Sequence, residues 1–565
     1  MNGQWDNNGS VELDRLSVLS RSLWTFVWFA MASVGTNSFG SWASWTGFNV
    51  IGPLLTLVGV AGIVAVWTVP PSRQVALERT SLVAAIGTVL VANGPVIAAS
   101  NYFNTDAAAF NQRATELLIR GINPYSVILT PAHLLLRHAN NYWTYLMNGG
   151  HVDRVSYPAG SFLLQAPLQL LGLHHLGTDW LDLIAWLVAG VILFAVSPAY
   201  AKWVAPLLIL ATELTYTAAH GGTDALFVPF MMLAALRWDD FVTKSGPKWT
   251  RWLGPVALGV ACSIKQTPWF AVPFFIAGIA MEAGNHDAPI LRTTLRYLGL
   301  VALPFVALNL PFFIWSPSAW LRGVLLPIAQ PLVPDGQGLV STVTHGLFHS
   351  VHPLYLLLAA LLAFVSLLAA FIGWYPVFKR AWMFAVPIVL YLPSRSLSSY
   401  LVDFIPAAFV MVLTTKGTPA IVVETEHINL KRAFVFVPAG LVIVCCVLGL
   451  SDPALTIQVD HYGSSHYNLY IDQMTLTFTN NTNATVTPHV MIVVGANHPT
   501  GFWSLAGGNT LRIPPRSTRT VVMQPPRYMG SPKFRESWLV EAFATSPSSM
   551  STTSAYVWPF GKKQS

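Results

Sequence analysis

"NYFNTDAAAFNQRATELLIRGINPYS", residues 101–126, follows a mostly apolar run of twenty residues, 81–100, in which no side chain ionises. About 20 apolar residues cross the ~30 Å hydrocarbon core of a bilayer, so the run reads as a membrane span. Asp106 then stands where the chain leaves the membrane. Behind it Phe110, Ala114, Leu117 and Leu118 recur at helical spacing, with Asn111, Gln112, Arg113, Glu116 and Arg120 on the other face. This pattern predicts a helix lying along the bilayer surface and stopped by Gly121 and Pro124. In the first turn of such a helix Asp106 can cap free backbone amides and face the positive end of the helix dipole. A carboxylate held rigidly at a membrane surface is also placed to accept a proton.

The rest of the chain belongs to the same world. Of 565 residues, 53% are hydrophobic and only 10% charged, which excludes an ordinary soluble domain and implies a polytopic α-helical membrane protein. Cys262, Cys445 and Cys446 lie in apolar runs and suggest no disulfide framework. The net charge of +7 comes from basic residues in short loops between apolar segments, so topology explains it and no nucleic-acid partner is expected. Residues 1–21 carry Asp6, Glu12 and Asp14 and lack the basic start and cleavage site of a removable signal peptide.

Apolar stretches place about thirteen transmembrane helices near 22–39, 48–70, 80–99, 179–197, 203–219, 224–239, 252–265, 267–281, 296–315, 352–376, 381–394, 400–415 and 433–450. With the N-terminus in the cytoplasm, about sixteen Lys and Arg fall inside and about seven outside, the bias that the positive-inside rule requires. That topology makes residues 157–177, interrupted by Pro158 and Pro167, interfacial. Asp106, Arg113, Glu116, His151, Asp153, Asp224, Lys265, Asp335 and Arg395 then gather at or just beneath the outer face. Ionisable groups at membrane depth are costly and mark a site more often than chance, although any one of them can be a solvated loop charge.

Asp106 and five stretches after it carry a resemblance. Asp106 opens a long first outer loop that continues through "LLIRGINPY" (117–125) and "SYPAGSFLLQAPL" (156–168). Further on come "HGGTDALFVPF" (220–230), "ACSIKQTPWFAVPF" (261–274) and "NLPFFIWSPSAWLRGVLLP" (309–327). Over about residues 80–415 this order resembles the GT-C superfamily of integral-membrane glycosyltransferases, and is similar to the polyprenyl-phosphate-mannose-dependent branch, family 87. "YPAG" departs from the double proline of that pattern, and two extra helices precede the loop-bearing one.

The chain then divides into three parts: a cytoplasmic tail with two additional membrane helices (1–79), a domain (80–450) that the resemblance makes GT-C-like and catalytic, with its first outer loop at 100–178, and, where the composition changes, an extracytoplasmic module (451–565). The resemblance implies a polyprenyl-phosphate sugar donor and a glycan, glycolipid or protein acceptor, with Asp106 as general base of an inverting displacement. Lys265 and Arg395 are the expected phosphate ligands, since a hydrated lysine among apolar residues wants an anion; snorkelling and helix termination are their bland alternatives. Asp224 after His220-Gly-Gly-Thr binds a sugar hydroxyl or caps the next helix. Tyr125, Tyr157, His151 and Asp153 are the other candidate substrate contacts.

His133, His138, His151, His174 and His175 lack the close pairing of a metal site, so neither a metal nor a cofactor is expected. The Pro- and Gly-rich loop 315–352 reads as a lid over the carrier phosphate. After Leu450, alternating segments such as "MTLTFTN", "HVMIVVG" and "SWLVEAFATS" predict a β-sandwich. In it "NNTNATVT" is a hairpin turn with sequons at Asn480 and Asn483, and Trp503, Tyr528 and Trp538 either stack on sugars or fill the core. A transporter or flippase of lipid-linked sugars is the competing class, for which polar residues at both ends of the helices are expected.

Overall fold

The computed structural model describes residues 7–41, 48–100, 102–103, 105–130, 132, 143–172, 177–219, 222–416, 428–463, 470–495, 498–508, 510–526, 532–533 and 537–553. Among them six helices are long and apolar enough to cross a bilayer: Val50–Thr68, Gln74–Ala99, Thr178–Val196, Thr267–Asn285, Ile290–Trp315 and Pro353–Gly373. The protein is therefore a membrane-embedded helical bundle, and a β domain follows it.

Several expected spans are broken into shorter pieces. Residues 203–219 form two helices, Val204–Leu210 and Thr212–Ala219, and 381–394 form a 3-10 turn, Trp382–Ala385, continued by Val386–Tyr391. The segment around Lys265 is also two elements. Thr250–Ile264 ends at Lys265, which is extended (φ −148°, ψ 161°), and a 3-10 turn, Thr267–Ala271, leads into Val272–Asn285. Pro268 explains the break, because it has no N–H to donate to the carbonyl of Ile264, its ring crowds that carbonyl, and its fixed φ suits the start of the next helix. In the bundle core Phe274 stacks on Trp382 with ring centroids 5.2 Å apart.

The helix Asp106–Ile119 forms as the alternation of residues predicts, and it ends where Gly121 adopts φ +74°. The amides of Gly121 and Ile122 donate to Leu118 O and Leu117 O, a Schellman closure that glycine permits without a Cβ clash. Its surroundings differ from the expectation. Asn111 and Gln112 are buried, because the segment 157–170 folds over that face as two short helices, Gly160–Leu163 and Ala166–Leu170. Ser161 Oγ donates to Asn111 Oδ1 at 3.0 Å, and Thr115 Oγ1 donates to Phe162 O at 3.0 Å. The polar face of this helix is an internal contact, and only Arg113, Glu116 and Arg120 keep access to solvent. Tyr125, Phe162 and Phe312 close the assembly edge to face, with centroids 5.2–5.8 Å apart.

The β domain is one curled antiparallel sheet, not a two-sheet sandwich. Its strands are β1 (Leu455–Gly463), β2 (Gln473–Asn480), β3 (His489–Val494), β4 (His498–Leu505), β5 (Thr518–Gln524), β6 (Trp538–Thr545) and β7 (Ser548–Thr552). They pair in the order β7-β6-β3-β4-β5-β2-β1, and the two ends approach each other where Leu455 N donates to Ser551 Oγ at 3.2 Å. A sheet curled this far encloses its own core, which contains Trp503 and Trp538, so these aromatics pack and do not face a sugar; Tyr528 lies outside the described residues.

β2 and β3 are not neighbours, so the stretch 480–488 is a crossover and not a hairpin. Asn480 is buried there, and its amide donates to Ala484 O, Ile513 O and Pro514 O. That nitrogen is unavailable as a glycan acceptor, whereas Asn483 is exposed and accepts from Arg516 Nε at 2.9 Å.

The strand β6 is buried on both faces, which alternation explains. Trp538, Val540, Ala542 and Ala544 face the domain core, while Phe543, with Met491 and Met550, packs against Tyr145, Met147, Val333, Val340 and Val351 of the loops. The loop 315–352 is part of this seam. Its backbone bonds to Tyr145 and Met147, Asp335–Gly336 pairs in parallel with Arg395–Ser396, and Ser350–Val351 adds an edge strand to β7. Main-chain bonds hold the segment at these three places.

Candidate functional site

The site begins with a capping residue that the sequence reading assigned one position too late. Thr105 is the N-cap, its Oγ1 accepting from Ala108 N at 3.2 Å, so Asp106 does not serve that role. Asp106 instead turns across the loop. Its Oδ2 accepts from the backbone amide of Thr144 at 2.8 Å, the carboxyl is half-buried, and no cation contacts it among the described residues. One oxygen is thereby fixed and the other stays available.

Thr144 joins this acid to a base. Its hydroxyl oxygen accepts from Arg395 Nη2 at 3.3 Å, while Arg395 Nη1 lies 3.4 Å from Val333 O and 3.9 Å from Asp335 Oδ2. The guanidinium is thus spread over weak contacts, at 20% side-chain exposure, and retains donors. Arg395 does not end a helix; the parallel pairing with Asp335 positions it.

His151 lies at the rim, its ring 4.2 Å from that of Trp143. Burial lowers its pKa, and the nearby carboxylates of Asp153 and Asp106 pull it back upward. Asp153 itself is partly exposed and lies 3.6 Å from Arg154 Nε, its own neighbour. Tyr125 is one layer behind the site. Its hydroxyl donates to Tyr157 O at 2.7 Å, which makes it a support for Tyr157 and not a wall.

Tyr157 connects the loop to the bundle. The charges of Lys265, Asp106 and Asp224 all reach its hydroxyl, and burial holds that group protonated far above its ordinary pKa. Lys265 is 3% exposed, so it does not snorkel. Its Nζ pairs with Asp224 and sits 5.2 Å and 5.1 Å from the rings of Tyr157 and Tyr400, inside cation–π range. Asp224 precedes the turn Ala225–Phe227 without capping it, which removes that alternative.

Two further acids, Asp182 and Asp403, complete the cluster. Asp182 Oδ2 accepts from Thr223 N at 2.8 Å, holding Thr223 at φ +57°, a left-handed conformation that a β-branched residue rarely takes. Asp403 lies within reach of Asp224, Lys265 and Asp182. Lys265 is therefore balanced by Asp224 with acid to spare, which leaves Arg395 as the cation better disposed toward an anion. His220 and the histidines 133, 138, 174 and 175 lie outside the described residues. Among the described residues no three His, Cys, Asp or Glu side chains converge as a metal site.

Both extremes of the bundle carry buried charge. Lys379 Nζ is 3.1 Å from Asp239 Oδ2 and 2.9 Å from Glu282 Oε1, and Tyr375 donates to Glu282 Oε1 at 2.6 Å. Lys265 and Glu282 flank the two ends of the helix Thr267–Asn285, roughly 25 Å apart at 1.5 Å per residue. The expectation that ionisable residues lie on one side alone is thus corrected. Comparison of the chain with protein-family models, curated proteins and solved structures finds no match.

Proposed function

We propose that the protein is a glycosyltransferase that moves a monosaccharide, mannose or a related sugar, from a polyprenyl-phosphate donor to a glycan, glycolipid or protein acceptor on the face bearing the β domain. The observation that carries this reading is Asp106: a rigidly held carboxylate with one uncommitted oxygen, linked through Thr144 to the incompletely paired Arg395. In the proposed step the acceptor hydroxyl oxygen forms a bond to the anomeric carbon as the bond from that carbon to the phosphate oxygen breaks. The hydroxyl proton passes to Asp106, and the departing phosphate keeps the electron pair. Arg395 counters its growing charge, a charge-assisted contact that is strongest when the phosphate leaves. Lys265 and Asp224 form a neutral floor that orients Tyr157. In this account the β-domain face is extracytoplasmic and the chain is a multi-pass protein of the cell membrane.

The cluster around Asp239, Glu282 and Lys379 favours a second reading, transport or flipping of the lipid-linked sugar, since a passage through the bundle needs polar groups at both ends. Purified protein in liposomes containing radiolabelled polyprenyl-phosphate mannose separates the two. Labelled acceptor product supports the transferase. Movement of intact donor between leaflets without product supports the transporter.

A further inference from the structure

Glu541 is an acid where the fold has no use for one. It lies on β6, 2% exposed, and its Oε1 has no hydrogen-bond partner among the described residues. An unpaired buried carboxyl weakens a fold, so its position asks for a ligand.

That position is a cavity of about 40 Å³ in the seam between the β domain and the loops, walled by Trp143, Tyr145, Asp335, Arg395, Val493 and Glu541. Asp335, with a side chain 42% exposed, marks its mouth. Trp143 and Tyr145 face the cavity, while Thr144 between them turns to Asp106 and Arg395. The cavity is thus one backbone strand away from the candidate base.

We infer that this cavity holds an uncharged, hydroxyl-bearing part of the acceptor, the saccharide unit next to the one that reacts; the inference rests on the transferase reading. The lining selects the ligand by exclusion. Arg395 opposes a cation, and Asp335 opposes an anion. What is left is a group that offers and accepts hydrogen bonds while an apolar face lies on Trp143, Tyr145 and Val493. The volume admits an arm of a sugar, such as a hydroxymethyl group, with the ring at the mouth. Glu541 comes from the β domain and Arg395 from the bundle, so the docked domain completes the subsite.

Deuterium exchange of the intact protein with and without mannotriose tests this. Exchange is expected to slow at residues 143–147 and 538–545 in the native protein and in Glu541→Gln, which keeps a donor and an acceptor. The slowing is expected to vanish in Glu541→Met, whose Tm stays equal or rises because a buried unpaired acid is gone. In transfer assays Glu541→Met raises the acceptor KM about tenfold, the loss of one buried hydrogen bond, at unchanged kcat. No slowing in the native protein overturns the subsite, whatever the activity. Slowing that persists in Glu541→Met overturns the role of Glu541. Should that variant not fold, Val493→Phe narrows the cavity and keeps every charge, and slowing that persists there overturns the site. A protein that binds mannotriose at the seam without transferring sugar refutes the transferase reading and leaves the saccharide site standing.

Discussion

Lys379 and Arg395 are two cations treated in opposite ways. Lys379 is held by two carboxylates, one of them fixed by Tyr375, and its geometry is closed. Arg395 touches a carbonyl, a hydroxyl and a carboxylate at 3.3–3.9 Å, and the acid it reaches through Thr144, Asp106, is bonded to an amide and not to a cation. Charge that is mutually satisfied holds a bundle together, whereas charge left incomplete is available for chemistry. On the proposed reading, the Lys379 cluster holds the bundle together and the Arg395 cluster serves the reaction.

The first way to break that comparison is Lys379→Met. It strands Asp239 and Glu282 as unpaired buried acids, a loss of about 3–5 kcal/mol that denaturant unfolding in detergent would read, while transfer per folded molecule stays constant. A transfer defect at full stability would move function to that end. Arg395→Ala is expected to do the reverse, lowering kcat/KM for the donor about ten- to hundredfold with a fall in kcat, as for a lost hydrogen bond to a charged group, at nearly native stability. Arg395→Lys restores only part of this, because an ammonium lacks the forked donors.

Smaller effects sharpen the division. Tyr125→Phe removes one buried hydrogen bond to Tyr157 O and is expected to lower stability by about 1 kcal/mol, with kcat unchanged. The pH profile supplies the last. Burial, aided by the charge of Asp335, raises the pKa of Glu541 well above its ordinary value. The folded protein then binds a proton that the unfolded chain releases, so the stabilisation is complete below the ordinary carboxyl pKa and is lost as pH rises through the raised one. Thermal melts of Glu541→Gln are expected to lack that decline.

The membrane class and the β module were legible because both follow from composition and period. Asp106, Lys265 and Asp224 were legible as acids and bases in places that discourage them, and the structure brings Lys265 and Asp224 into contact. Asp182 and Asp403 carried the same signal, "TDWLDLIAWL" and "SYLVDFIPAAF" being apolar runs with an acid inside, and went unread. Thr144 was not legible, because its bond to Asp106 is a backbone amide that any residue supplies and its hydroxyl meets Arg395 only across 251 residues of chain. Glu541 was hidden by β6: a strand covered on both faces loses the alternation that would have set its acid apart. The main-chain pairing of the loop 315–352 was hidden for a related reason, since Pro and Gly mark a loop without saying what its backbone bonds to.

The central claim is that Asp106 takes the acceptor's proton. The measurement is transfer from radiolabelled polyprenyl-phosphate mannose by native protein and by Asp106→Asn at equal folded amount, with donor binding followed in parallel. The account predicts a loss of about 10²- to 10⁴-fold in transfer, the range for a general base, with donor binding retained and the Thr144 amide still bonded by the new side chain's oxygen. Transfer by Asp106→Asn at the native rate would contradict it.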